Sequence, residues 1–243
     1  MISSRDETNV APTFDSRWEE IYAAGHQHNR WPFDQVVSFY HRARPTGDSR
    51  NRPRWLLEVG CGTGNNLLAA ALDGLNVAGI EASPTACTVA RERLSEAGIV
   101  ADIRLGDFTR LPWTSDSFDL AVDRLAITHT SLEGARLAIS EVHRTLKADG
   151  LFLFNCFGPQ NEGITELDDI SRHIHTSELT GTLEGVGAVS FFSEAGVREL
   201  FNDTSWTFEA FQLVSYRSVM ETTPLQPNAM LSEWRVIARK LPR

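Results

Sequence analysis

The stretch Glu58-Val59-Gly60-Cys61-Gly62-Thr63-Gly64-Asn65-Asn66 sets an acid two residues ahead of three glycines that alternate with other residues. Glycine has no Cβ, so a turn built from it lets backbone N–H groups approach a ligand closely and adopts left-handed angles at little cost. Where such a turn leads into a helix, the unpaired N–H groups of the first helical turn favour an anionic or strongly polar ligand group. A dinucleotide loop needs G-x-G-x-x-G/A. Here Asn65 stands at the last position, and a count begun at Gly62 puts Leu67 there. The spacing therefore speaks against NAD.

Further acids follow at regular stations. Glu81 stands 23 residues beyond Glu58, directly after a second apolar run. A carboxylate there can accept two hydrogen bonds from a ribose diol and repels a 2′-phosphate. Gly106-Asp107-Phe108 closes a third run, where the acid can accept from an adenine amine and the ring can flank the base. Asp119 and Asp123 border a fourth. Each acid alone reads as a solvated strand end. Together they mark the carboxyl ends of successive strands, where open α/β sheets bind their ligands.

The elements that must carry these groups alternate between short apolar runs and amphipathic segments, the pattern of a parallel sheet covered by helices. Strands are expected at 55–59, 75–80, 99–105, 118–122 and 151–154, with helices over 65–72, 83–97 and 133–147. Ser83 and Pro84 are helix-start residues, and Gly150 closes the turn after the third helix. Residues 159–190 are rich in Gly, Thr, Asp and Glu without a period, and read as an insertion or mobile lid. Ser193 caps a short helix over 194–201, and the alternating segments 206–219 and 230–239 suit an antiparallel hairpin. Ahead of the first strand, Trp18, Ile21 and Tyr22 share one helical face, and Phe33, Val36, Val37 and Tyr40 form a second stripe.

Composition bounds the function classes. With 243 residues, a single elaborated α/β domain is the expectation. Hydrophobic residues at 42% and charged residues at 23% exclude wholesale disorder. The longest apolar run, Leu67 to Leu72, is far short of the roughly 20 residues of a membrane span. The polar start from Met1 to Glu7 lacks the apolar core of a signal peptide, so a cytoplasmic location without membrane association is expected. Cys61, Cys87 and Cys156 are widely spaced with no CxxC, which points to neither a disulfide framework nor a zinc site, and no metal is expected. The net charge of −9 and the lack of a concentrated basic surface disfavour nucleic acid; the densest basic run, Arg50 to Arg54, reads as a loop entering a strand. A homodimer stays open.

Residues 55–158 resemble the class I S-adenosylmethionine (SAM)-dependent methyltransferases. Leu57-Glu58-Val59-Gly60-Cys61-Gly62-Thr63-Gly64 is similar to the first motif of that family, and Gly79-Ile80-Glu81-Ala82-Ser83 to its second. Asp107-Phe108-Thr109-Arg110-Leu111-Pro112-Trp113 with Asp116-Ser117-Phe118-Asp119 resembles its adenine segment. Arg144 to Leu151 resembles the turn before the fifth strand, with Ala148-Asp149 where the family usually has Pro-Gly. The resemblance implies an α/β, Rossmann-like, seven-stranded and mostly parallel sheet of order 3-2-1-4-5-7-6, with helices on both faces and the hairpin as its last two strands. Residues 1–50 then form an N-terminal helical cap, and 51–243 the SAM-binding domain, with the lid at about 159–190 and the hairpin at 206–240.

The resemblance also implies roles. Gly60, Cys61, Gly62 and Gly64 would hold the amino-acid part of SAM with Glu58 supporting the loop. Glu81 with Ala82 would take the ribose, and Asp107 with Phe108 the adenine. Asp123, Arg124 and Leu125 would line the methionine moiety. Asn65 and Asn66 at the helix start, and Arg30 in the cap, are candidates for the SAM carboxylate.

Methyl transfer needs mainly an in-line approach, and positioning is its chief requirement. His129 is the candidate base, with a packed histidine as the alternative. His173 and His175, and likewise His26 and His28, lack the third ligand a metal would need. Tyr22, His28 and Asn29 would face the ligand from the cap. Asn155, Cys156 and Phe157 would wall the acceptor, a small-molecule metabolite, with Phe191, Phe192, Tyr216 and Arg217 as further candidates. The expected activity is thus methyl transfer from SAM to a small molecule. Two rivals are an intramolecular cyclase that turns SAM into azetidine-2-carboxylate and methylthioadenosine, and a non-catalytic SAM-binding partner subunit.

Overall fold

The computed structural model describes residues 14–43, 54–162, 164, 167, 171–202, 204–217 and 230–242. Five strands run parallel: Trp55–Val59 (β1), Asn76–Glu81 (β2), Asp102–Leu105 (β3), Phe118–Arg124 (β4) and Leu146–Phe157 (β5). Their order across the sheet is β3-β2-β1-β4-β5. His173–Thr176 (β6) and Val189–Phe192 (β7) form a short antiparallel pair, and Trp206–Arg217 (β8) with Met230–Lys240 (β9) a long one. β9 lies antiparallel along β5 from Leu151 to Phe157, so the sheet continues as β5-β9-β8. That is the order the sequence leads one to expect, with β9 and β8 as the hairpin.

Two layers of helix cover the sheet. Arg17–Ala23 (α1) and Asp34–Arg42 (α2) precede β1; Asn65–Leu72 (α3) and Pro84–Glu96 (α4) follow β1 and β2; Leu132–Thr145 (α5) and Glu194–Leu200 (α6) come later. Leu56 and Leu57 are both fully buried on opposite faces of β1, which is why the central strand reads as continuous apolar sequence. On one face Leu56, Leu120 and Val122 pack with Val36, Phe39 and Tyr40 of α2 and with residues of α3 and α4. On the other, Leu57, Ala121, Phe152 and Phe154 pack with α5, α6, Trp206 and Trp234. α4, α5 and α6 start on Ser83, Ser131 and Ser193, whose hydroxyls accept from Ala86, Gly134 and Gly196 N–H. Among the described residues no helix is long and apolar enough to cross a membrane.

Three details depart from the sequence reading. Among the described residues the sheet has nine strands instead of seven, because the stretch 159–190, read as an insertion or lid, contains β6 and the start of β7. β7 is fully buried at Val189, Phe191 and Phe192, and pairs at Phe191 with Phe157, beyond the point where β4 ends. Four residues after a glycine-rich stretch are too short for a periodic signal, so burial and not pattern makes this strand. Third, β5 begins at Leu146, directly after α5, and not at 151. The pairing with β4 slips between Phe118 and Leu120, and Asp149 takes φ +62° inside the irregularity. Aspartate tolerates that left-handed conformation better than most side chains, and it stands where the resembled family usually has glycine. The basic run at 50–53 and the start Met1 to Glu7 lie outside the described residues; Arg54 donates to the carbonyls of Tyr40 and Ala43.

Candidate functional site

The glycine loop closes β1 over the head of α3. Gly60, Gly62 and Gly64 stand at φ +62°, +51° and +75°. A Cβ at Gly60 would lie 2.1 Å from Ala126 Cβ, and one at Gly62 would lie 2.8 Å from the Tyr22 hydroxyl. Gly62 N–H donates to Glu81 Oε2 and Ser83 N–H to Glu81 Oε1, both at 2.8 Å, so the acid at the tip of β2 also organises the loop. Each carboxylate oxygen keeps a second lone pair. Burial raises the Glu81 pKa above the usual carboxylate range, against the opposing pull of these N–H donors.

Glu58 is 2% exposed. Its Oε1 accepts from Asn66 Nδ2 at 2.7 Å, whereas Oε2 is buried without a hydrogen-bond partner among the described residues. Burial pushes its pKa up to about 8; the Asn66 bond and the Arg124 charge oppose that rise, and Asp123 and Glu81 add to it. A buried, half-bonded carboxylate lining a cleft is a place for a ligand cation. Asn66 Oδ1 also accepts from Phe33 N–H at 2.9 Å, and Asn65 Nδ2 donates to Trp31 O at 2.8 Å. These two amides tie the lead-in of α2 to the head of α3.

Two adjoining clefts open above the loop. The first, about 650 Å³, is lined by Glu81, Ala82, Asp107 and Phe108 from the strand ends and by Phe14, Asp15, Trp18 and Tyr22 from the N-terminal segment. Asp107 Oδ1 accepts from Thr109 N–H at 2.7 Å and Thr109 Oγ1 at 2.8 Å, which fixes the acid at the edge of this cleft. The second, about 940 Å³, is lined by Glu58, Cys61, Gly62, Thr63, Asn65 and Asn66 and by the apolar side chains of Phe33, Phe157, Leu183 and Val186. Trp18, Tyr22, Gly60, Arg124, Leu125 and His129 line both.

The turn after β4 is set from beneath. Asp123 is fully buried; its Oδ1 accepts from Ala126 and Ile127 N–H at 2.9 and 3.0 Å, and its pKa is pushed up to about 7 by burial. Leu125 sits at φ +60°, a conformation leucine rarely adopts unless its surroundings impose it. The Arg124 guanidinium stands 4.4 Å over the Phe33 ring and 3.7 Å from Glu233.

His129 Nδ1 lies 3.3 Å from the Ala188 carbonyl. A carbonyl only accepts, so Nδ1 carries the proton and Nε2 the lone pair. Its ring meets Trp18 edge-on at 4.7 Å, and burial lowers its pKa to about 4, so it is neutral at pH 7. Burial raises the Tyr22 pKa, helped by Glu81, Cys61 and Glu58, so this phenol stays a hydrogen-bond donor over the glycine loop.

The sequence-derived candidates thus divide. Glu58, Gly60, Cys61, Gly62, Asn65, Asn66, Arg124, Leu125, Glu81, Ala82, Asp107, Phe108, Tyr22 and His129 come together around the clefts. Asp123 lies beneath its turn, and Gly64 faces Ala90 of α4. Arg30 is exposed over Trp31. Asn155, Cys156, Phe191 and Phe192 are wholly inside the fold and cannot wall an acceptor, Asn155 donating to Trp234 O at 3.4 Å. Tyr216 is about half exposed on β8 and binds Arg235. His173 and His175 share the Ser190 hydroxyl, and among the described residues no three ligating side chains form a metal cluster. The sequence reading missed Asp15, Thr182, Leu183 and Val186, which no period or motif marks.

Residues 57–154 match the family model described as "Methyltransferase domain". The Bacillus subtilis protein named uncharacterized methyltransferase YcgJ is 32% identical over 123 residues, 49% of this chain and 46% of that protein. The chain thus spans less than half the length of that relative. Among solved structures, Burkholderia thailandensis 1,6-didemethyltoxoflavin-N1-methyltransferase, solved with 1,6-didemethyltoxoflavin and S-adenosylhomocysteine, superposes with a TM-score of 0.66. It shares 17% identity over 93% of this chain and 87% of that one. The [4+2]-cyclase SpnF gives the same TM-score of 0.66 at 18% identity, over 96% and 99%. At such identities both show the fold alone.

Proposed function

We propose that the chain, whose residues 57–154 match the methyltransferase domain model, is a SAM-dependent methyltransferase that methylates a small molecule held in the second cleft. The observation that carries this reading is the sharing of Trp18, Tyr22, Arg124, Leu125 and His129 by two clefts. One cleft has the acids of a nucleoside site, and the other is lined by a half-bonded carboxylate and by apolar side chains.

In this reading Glu81 accepts from the ribose diol, and Asp107 with Phe108 accommodates the adenine. Glu58 Oε2 takes the cofactor ammonium, and the glycine loop carries the amino-acid end. The fit is supported by the unpartnered Glu58 oxygen and by the space that any Cβ at Gly60 or Gly62 would fill. Bound SAM supplies a methyl group activated by a sulfonium. The chain's own contribution is geometric: Phe33, Phe157, Leu183 and Val186 exclude water and hold an apolar acceptor, and His129 Nε2 accepts a hydrogen bond from its nucleophilic group. A base whose pKa is about 4 holds a proton weakly, so His129 aligns a nucleophile more than it deprotonates one. We take residues 1–50 as the cap and 51–243 as the catalytic domain.

The apolar side chains of Phe33, Phe157, Leu183 and Val186 along the second cleft support an external acceptor over intramolecular attack by the cofactor's own amine. Incubation with SAM alone separates the readings. Binding without methylthioadenosine formation, followed by S-adenosylhomocysteine release once an acceptor pool is added, is the expected result. Methylthioadenosine from SAM alone would establish the cyclase, and tight binding with no turnover on any acceptor the partner subunit.

A further inference from the structure

Asp15 lies on the rim of the first cleft, in the chain that leads into α1. Its Oδ1 accepts from Arg17 N–H at 2.9 Å and its Oδ2 from Ala188 N–H at 3.2 Å. Ala188 is also the residue whose carbonyl accepts from His129 Nδ1–H. One alanine ahead of β7 is therefore gripped by a carboxylate of the cap through its N–H and by the imidazole through its carbonyl. The approach demands glycine next door: Gly187 stands at φ +86°, and a Cβ on it would lie 2.2 Å from Asp15 Oδ2. Arg17 Nε donates to Gly185 O at 2.7 Å and pins the same segment a second time.

We propose that Asp15 is a positioning residue for His129: by holding Ala188 it holds the carbonyl that keeps the imidazole in its Nδ1–H form, with the lone pair on Nε2. The proposal rests on the reading of the second cleft as the acceptor site. It adds a condition to that reading. α1 has no fully buried residue; Glu19 fastens it to Ser83 and Thr85 by hydrogen bonds, and Trp18 packs edge-on against the His129 ring. The same cap segment thus grips Ala188 and lines the nucleoside cleft, which links the setting of the histidine to the cover over the cofactor side. The charged or titratable groups acting on His129 are Asp15 from the cap segment and His175 from β6; the Trp18 ring beside it is uncharged.

The test is nitrogen-15 NMR of the histidine rings in the full chain at pH 7, with and without S-adenosylhomocysteine, His129 being assigned by its loss in His129→Gln. The wild-type ring is expected as the Nδ1–H tautomer. Asp15→Ala and Gly187→Ala are expected to shift the tautomer ratio toward Nε2–H by about fivefold, a change one ordinary hydrogen bond supports. Asp15→Asn retains an acceptor oxygen and should rescue the tautomer, while the ring pKa falls below about 4 because the acid's charge is gone. A wild-type ring in the Nε2–H form overturns the proposal, and so does an unaltered ratio in either disrupting variant with a wild-type circular dichroism spectrum. Should Asp15→Ala not fold, Gly187→Ala and Asp15→Asn decide. A wild-type chain that fails to bind S-adenosylhomocysteine overturns the reading of the site instead, and leaves the tautomer result to stand by itself.

Discussion

The cradle at the ends of β1 and β2 and the roof made by α1 with residues 181–188 face each other across the same clefts, but different forces hold them. The cradle is backbone: Gly60 and Gly62 in left-handed turns, and Glu81 bonded to two N–H groups, above strands whose Leu56, Leu57 and Val59 are fully buried. The roof is held by side-chain hydrogen bonds from Asp15, Arg17 and Glu19 and by the Trp18 ring against His129, and α1 has no fully buried residue. A region secured by core packing opens only with the whole domain, whereas one secured by exposed polar contacts can open locally. The clefts thus lie between a half fixed by the core, which takes the nucleoside in the proposed reading, and a half tied down by side-chain contacts.

Four experiments can break or sharpen that contrast. The largest effect is expected from Gly60→Ala, whose Cβ would meet Ala126 Cβ at 2.1 Å in a conformation alanine disfavours. Calorimetry should find S-adenosylhomocysteine affinity down by at least about a hundredfold, as misplacing a positioned group typically does. Glu81→Ala comes next. It removes the acceptor of Gly62 and Ser83 N–H together with the proposed ribose contact, so affinity should fall between about tenfold and a hundredfold. An unchanged affinity would end the cradle reading.

The third concerns pH. Folded Glu58 has a pKa of about 8 against a usual 4.5, and folded Asp123 about 7 against 3.8. Both acids keep a proton in the folded chain that the unfolded chain has lost. Below about pH 6.5 the neutral His129 and His173 oppose this, so the stability of the ligand-free protein falls as pH rises from about 7 toward 8. Thermal melting in that window should show the decline, and Glu58→Gln should flatten it. A ligand ammonium against Glu58 favours the ionised form, so S-adenosylhomocysteine should bind more tightly with rising pH across the same window.

The smallest effect is expected in the roof. Glu19→Ala removes part-buried contacts to Ser83 and Thr85, each of ordinary hydrogen-bond strength, and should speed dissociation of the nucleoside about threefold with little change in melting temperature. A loss as large as that of Gly60→Ala would mean that the roof is structural, and the two halves would no longer differ in kind.

Much of the cradle was legible from residue order alone, because its chemistry is local. The acid, the three glycines and the helix that follows are contiguous, and backbone sterics admit few other shapes for them. Glu81 and Asp107 could be placed because each follows directly on an apolar run, and a parallel sheet brings the ends of such runs side by side. The sheet order followed the resemblance for the same reason, with β9 and β8 taking the expected edge.

The roof was another matter. Asp15 and Ala188 are far apart in the chain, and nothing in either neighbourhood reports the other; only the docking of α1 against the segment before β7 brings them together. Asn155 reads as a strand-end residue facing a ligand until β9 is laid along β5 and covers it. Sequence by itself determined the cradle, where conformation is set by neighbours in the chain and by repeated strand ends. Tertiary structure alone decided which side chains close over it, because long-range packing follows from the sum of many weak contacts that no short stretch of sequence contains.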